Sequence, residues 1–184
     1  MTRILPLDEL NVLMAKYQSS ANESVADNFA LDDIISDLLD LFMLAIANGV
    51  ASINDAFGAD YQPDAEKLES IVYEKIDGAT WKDRVEEWYQ NGGTGYDIIR
   101  IAETESHRIG NEIAYEGAKE VGATRKTWFT MLDDRVRDTH EYLESVSVGI
   151  DDDFYSFDGD HAPYPGAFTL ASNNINCRCE VEYS

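Results

Sequence analysis

The sequence predicts an α+β fold: a mainly helical N-terminal two-thirds, then a small antiparallel sheet with a short packed helix. Two observations predict it. As far as Gly122, apolar residues recur at three- and four-residue spacing, the mark of helices with one buried face. Beyond Gly122 the period shortens to two, most clearly where Cys177, Cys179, Val181 and Tyr183 alternate with Arg178, Glu180 and Glu182. No internal repeat is present, and 184 residues with 44% apolar content suffice for a sizeable core.

The elements follow in order. Pro6 suits the first turn of a helix that Leu7, Leu10, Leu13, Met14 and Tyr17 continue, until the polar run at 18–24 ends it. A longer helix carries Leu31, Ile34, Ile35, Leu38, Leu39, Phe42, Ala45 and Ile46 on one face, with Asp32, Asp33, Ser36, Asp37 and Asp40 opposite. Leu41, Met43 and Leu44 widen its apolar arc, so the helix suits either core packing or docking on another subunit. After a break at 58–62, Pro63 opens a helix with Leu68, Ile71, Val72 and Ile76 in a stripe, ending near Asp77 and Gly78. Thr80 with Asp83 three residues on forms a capping box for the next helix, whose Trp81, Val85 and Trp88 share a face. The flexible run 91–95 stops it, and Tyr96 or Asp97 begins a last long helix running toward Gly122. Strands are expected at 127–132 and 177–183, with a helix at 134–143 capped by Asp133 between them, and mostly loop at 149–176. Two units result, a helical region at 1–78 and an α+β region at 79–184.

Charge limits the partners. With 36 acidic and 14 basic side chains the formal net charge is -22, which repels a phosphate backbone, so no direct nucleic-acid binding is expected. The densest basic stretch holds Arg125, Lys126, Arg135 and Arg137 but is interrupted by Asp133 and Asp134. Residues 1–10 lack the charged start and apolar run of a secretory leader, so synthesis in the host cytoplasm is expected. The longest unbroken apolar stretch, 41–47, falls far short of the roughly 20 residues of a membrane span, and no membrane partner is expected.

Three groups of residues could carry chemistry. Val136, His140 and Leu143 lie at i, i+4, i+7 and turn His140 toward the sheet. Cys177 and Cys179, two apart on a strand, present both thiols on one face; a disulfide between them would be strained. One imidazole and two thiolates are ligand types of tetrahedral zinc, with His161 the best fourth candidate and Asp133 and Asp153 behind it. Buried free cysteines and a hydrogen-bonded core histidine are the plainer account of the same residues. A cysteine nucleophile with His140 as base is a third, but no oxyanion-hole sequence or helix N-terminus accompanies it. Finally, Glu105 falls on the apolar stripe Ile98, Ala102, Ile109, Ile113, where a carboxylate needs a cation, and Arg135 and Arg137 are the expected partners.

Read together, four ordered stretches resemble the C-terminal domain of the phage Mu F-like family of head-morphogenesis proteins. They are RIAETESHRIGN at 100–111, KTWFTMLDDRVRDTH at 126–140, YPG at 164–166 and INCRC at 175–179, within about 96–184. The family signature maps onto Glu105, Trp128, Asp133 or Asp134 with Arg135, Arg137 and His140, and Cys177 with Cys179. Where the family commonly has an L-x-G turn, this chain reads Leu143-Glu144-Ser145.

The resemblance implies a low-copy, non-catalytic minor head protein of the virion, in the head interior or at the portal vertex, acting in capsid assembly or genome delivery. It implies the portal protein or the major capsid protein as partner, with residues 1–78 supplying the docking helices. Relatives fused to toxin domains carry catalysis in a separate module, and none is expected after Ser184. The alternative is a zinc-assisted or cysteine-dependent hydrolase using His140, Cys177 and Cys179. A free-standing cytoplasmic assembly factor is the third class.

Overall fold

The structure, a computed structural model, describes residues 4–20 and 22–184; the absence of a leader, read from residues 1–10, falls partly outside them. Helix α1 (Leu7–Gln18) follows Pro6 and buries Leu10, Leu13 and Tyr17. A 3-10 turn at Val25–Asp27 leads to α2 (Leu31–Phe57), which ends at Gly58 in the left-handed conformation that closes helices. Its buried face comprises Ile34, Leu38, Leu41, Phe42, Ala45, Ile46, Gly49 and Ile53, while Met43 and Leu44 stay exposed. By length and composition α2 could cross a membrane. Counting unbroken apolar residues did not reveal this, because Asp and Asn punctuate a helix that is apolar on average. Here its inward face is core.

Helix α3 (Ala65–Val72) is shorter than its apolar stripe suggested. Asp64, not Pro63, marks its start by accepting a hydrogen bond from the Lys67 amide at 2.8 Å. The chain leaves the helix at Tyr73, and left-handed Asp77 and Gly78 turn it so that Ile76 pairs with Ala79. Helix α4 (Trp81–Gln90) begins with the expected capping box: the Asp83 amide donates to Thr80 Oγ1, and the Thr80 amide to Asp83 Oδ2. Helix α5 (Gly95–Glu120) starts one residue earlier than expected, through a second capping box of Thr94 and Asp97.

Helix α5 is the axis of the molecule. Seventeen of its residues are buried, which leaves no continuous solvent face, so its polar side chains must find partners inside. Helix α2 lies along it, and the two backbones meet at Gly49 and Gly110: a Cβ on Gly49 would stand 2.6 Å from the Gly110 carbonyl oxygen. Helices α1, α3 and α4 pack around this pair. Trp81, fully buried, meets Phe42 edge-on at 5.1 Å. The apolar core continues without a break from the helices into the sheet region, across Gly78.

After Gly122 come β1 (Arg125–Phe129), α6 (Asp138–Glu141), β2 (Ser147–Gly149), β3 (Phe154–Tyr155), β4 (His161–Ala162), α7 (Ala171–Asn174) and β5 (Glu180–Tyr183). An antiparallel sheet has the order β2-β1-β5, with Trp128 opposite Val181 and Lys126 opposite Tyr183; β3 and β4 pair separately. Helix α6 is a single turn in place of the expected 134–143, and its cap is Arg137. Asp133 instead accepts from the Arg135 amide and pairs with Arg178 at 2.7 Å. Strand β5 begins three residues later than the alternation suggested. Cys177, Cys179, Val181 and Tyr183 do all point inward, but Glu180 is buried too, because β5 is covered on its other side and Glu180 accepts from the Ile4 amide.

The L-x-G turn of the resemblance survives without its glycine. Ser145 takes φ +62°, and its amide donates to the Trp128 carbonyl at 2.8 Å, closing the chain from α6 back onto β1.

Candidate functional site

The inner face of the sheet carries Trp128 from β1, and α6 lays His140 against it. The His140 ring is held by packing: Trp128 meets it edge-on at 5.6 Å and Phe168 stacks on it at 5.1 Å. The Asn174 amide closes the loop beneath, donating to the Phe168 carbonyl, while the Phe168 amide donates to Asn174 Oδ1. Cys177 and Cys179 enter from the extended segment before β5, so their alternation aims both sulfurs at the same side of the ring.

His140 Nδ1 lies 3.6 Å from Cys177 Sγ and 3.7 Å from Cys179 Sγ, and all three ligand atoms lie within 4.8 Å of one another. His140 is fully buried and both cysteines nearly so. His140 Nε2 has no hydrogen-bond partner. The neighbouring Cys179 thiol, with help from His140, draws Cys177 well below the usual thiol range despite its burial. Contact with Cys177, together with burial, holds Cys179 protonated. His107 supports the cluster from α5, its Nε2 lying 2.6 Å from the Cys179 carbonyl oxygen.

His161 does not join them. It stands exposed on β4, its Nδ1 2.7 Å from Asp153, and Asp133 is spent on Arg178. Beside the cluster lies a cavity of about 10 Å³ among Met131, Arg135, Val136, Arg137, Asn176 and Arg178, room for about one water.

Glu105 is buried and doubly paired, but not with the expected arginines. Its Oε1 accepts from Arg84 of α4, and its Oε2 from Arg108 Nε at 3.0 Å. Arg108, itself buried, also donates to Glu74, Glu112 and the Ile71 carbonyl, each at 2.8 Å. Arg135 is exposed in the loop before α6, and Arg137 donates to the Ile175 carbonyl. Their closeness to Glu105 was inferred from compactness alone. The i, i+3 spacing of Glu105 and Arg108 was the available signal. Burial raises Glu112 to about 7 although Arg108 opposes the rise.

A second polar centre was missed. Asp160 accepts from the amides of His161, Thr169 and Leu170, from the Thr169 hydroxyl and from Asn173, which binds the 149–176 segment together. Burial would raise its carboxyl, but these donors hold it well below the usual carboxylate range. Nor do the four basic residues of 125–137 form a patch. Lys126 is buried, its Nζ 4.7 Å from the Tyr115 ring centre, and burial lowers it to about 8.

An arginine ADP-ribosyltransferase that uses NAD(+), from Enterococcus faecalis, is 38% identical over 85 residues, 44% of this chain and 17% of that protein. A minor head protein of Bacillus phage SPP1 is 33% identical over 85 residues, 45% of this chain and 28% of that protein. The chain therefore spans under a third of either relative's length. No solved structure matches it. The family model for phage Mu protein F like proteins matches residues 78–182, a stretch that begins at the left-handed turn before α4 and takes in Glu105, Trp128, His140 and both cysteines. On that match, which covers more than half of its length, the chain belongs to the phage Mu protein F like family.

Proposed function

We propose that this protein is a non-enzymatic minor head protein, working in capsid assembly or genome delivery and held in the phage head by the portal protein or the major capsid protein. The observation that carries the reading is the family match together with the likeness to the SPP1 minor head protein. The charge of -22 supports retention through protein contacts, because the packaged genome would repel the chain. Lys126, one of the four cations of the densest basic stretch, is withdrawn into the core, which leaves that stretch fewer groups for a DNA contact.

The docking surface we favour lies on α1 and α2. Val12, Met43 and Leu44 are exposed there, and a groove of about 250 Å³ runs between Glu9, Lys16, Asp37 and Asp40. Apolar anchors with a charged rim suit a protein partner. The hydrolase reading fares worse, because a nucleophile needs a cleft for its substrate and both cysteines are enclosed. The transferase named in the Enterococcus relative is not carried over, since the alignment spans 17% of that protein.

The test is incorporation. The variant carrying Val12→Glu and Met43→Glu changes only exposed positions, so it should fold, yet it should be absent from purified particles that contain the wild type. Cross-links from wild-type α1 or α2 to the portal or the major capsid protein are expected. Normal incorporation of the variant would remove the docking face. Absence of the wild-type protein from finished particles would remove the virion role and favour an assembly factor.

A further inference from the structure

We propose that His140, Cys177 and Cys179 bind one zinc ion, with a single enclosed water in the fourth position. The inference goes beyond the head-protein role and does not depend on it. It starts from the sharing of one nitrogen by two sulfurs. A ring N–H can point at one acceptor, yet Nδ1 of His140 stands almost equally far from both thiols, at 3.6 and 3.7 Å. Three ligand atoms within 4.8 Å of one another leave two sulfurs and one ring nitrogen sharing long contacts. An ion among them would satisfy all three at once.

The spacing fits. Zinc bonds of about 2.3 Å to sulfur and about 2.0 Å to nitrogen, at tetrahedral angles, separate sulfur from nitrogen by about 3.5 Å and sulfur from sulfur by about 3.8 Å. The two nitrogen–sulfur distances, 3.6 and 3.7 Å, already stand close to the first value, and the sulfurs lie within 4.8 Å of each other. Among the described residues no other His, Cys, Asp or Glu shares the cluster. The fourth position therefore falls to solvent, and the cavity of about 10 Å³ beside His140 and Cys179 holds about one water. Bound there, the ion would act as a staple between two segments of the chain.

The staple has something to hold. It ties α6 to the segment before β5, residues 37 and 39 positions apart, and the chain between them contains only strands of two or three residues and one four-residue helix. Closing a long loop of this kind stabilises a region with little regular structure of its own. Zinc takes both sulfurs as thiolates, so any thiol proton still held in the empty site leaves when the ion binds.

The experiment uses the full chain purified without chelator. Elemental analysis should find about one zinc per chain. Cobalt(II) added to the stripped wild type should give tetrahedral visible bands and a near-ultraviolet thiolate band. Cys177→Ser and Cys179→Ser should each weaken binding more than about 100-fold, beyond what losing a supporting residue costs, while His161→Ala should bind as the wild type. A folded wild type with no zinc and no cobalt bands overturns the proposal, as does either serine variant binding with unchanged affinity. The cobalt spectrum is read on the wild type alone, so a serine variant that fails to fold leaves the test standing.

Discussion

Removing Glu105 should cost the fold about 3 kcal/mol, and its two arginines should not share that cost equally. Breaking a buried ion pair typically costs about 3 to 5 kcal/mol because the surviving charge is stranded. In Glu105→Ala, Arg84 is partly exposed and can return to water. Arg108 is 3% exposed but keeps Glu74, Glu112 and the Ile71 carbonyl, so its charge stays compensated and the lower end of the range applies. Arg84→Ala should cost only about 1 kcal/mol, since Glu105 retains Arg108. Arg108→Met should be the worst, at about 4 kcal/mol or more, because it strips the cation from Glu105 and Glu112 together and leaves a buried carbonyl unpaired. The assay is urea unfolding at pH 7, with thermal melts alongside, where 3 kcal/mol corresponds to a drop of about 6 to 12 °C. A double-mutant cycle should couple Glu105 to Arg108 by about 1 kcal/mol or more and to Arg135 by about zero. A neutral Glu105→Ala, or an Arg84→Ala as harmful as Arg108→Met, would refute the network described above.

Three further outcomes are expected. Gly49→Ala should destabilise by about 1 to 2 kcal/mol in urea unfolding, because its Cβ would press on the Gly110 carbonyl and that overpacking exceeds the gain of about 1 kcal/mol in helix propensity; a more stable variant would show that α2 and α5 can separate freely. Ser145→Gly should raise stability by about 1 kcal/mol, since it relieves the cost of a left-handed L-residue; a loss would mean that the serine side chain matters to the turn. Glu112, raised to about 7 from an ordinary 4.5, binds its proton more tightly in the folded chain, so its stabilising effect is complete below about 4.5 and is lost as the pH rises through about 7. That slope should disappear in Glu112→Gln, and an unchanged slope would assign the pH dependence to other groups.

Local interactions explain what could be read early. The capping box of Thr80 and Asp83 lies within four residues, and the pattern of α2 reports which face is apolar whatever it packs against. The inward alternation of Cys177 and Cys179 needed only the two-residue period of extended chain. His140 does face both thiols, but from a single-turn α6 that leaves Val136 outside the helix, so the helical spacing of the two was not the reason. At α3 the reading failed for a local reason. Helix α3 stops early because Asp77 and Gly78 turn the chain toward α4, and the stripe that seemed to continue through Ile76 belongs to a bridge with Ala79.

The sequence by itself determined the α+β order, most of the longer helix boundaries, the acidic net charge, and the motifs of the phage Mu protein F like family. These properties rest on composition, on period and on contacts between near neighbours in the chain. Only the tertiary structure decided which cation answers Glu105, that His161 stands apart from the cysteines, that Lys126 is buried, and that Glu180 points into protein. Each depends on what covers a given face. A helix or strand states which side is polar, but not which other element will arrive there to pair with it.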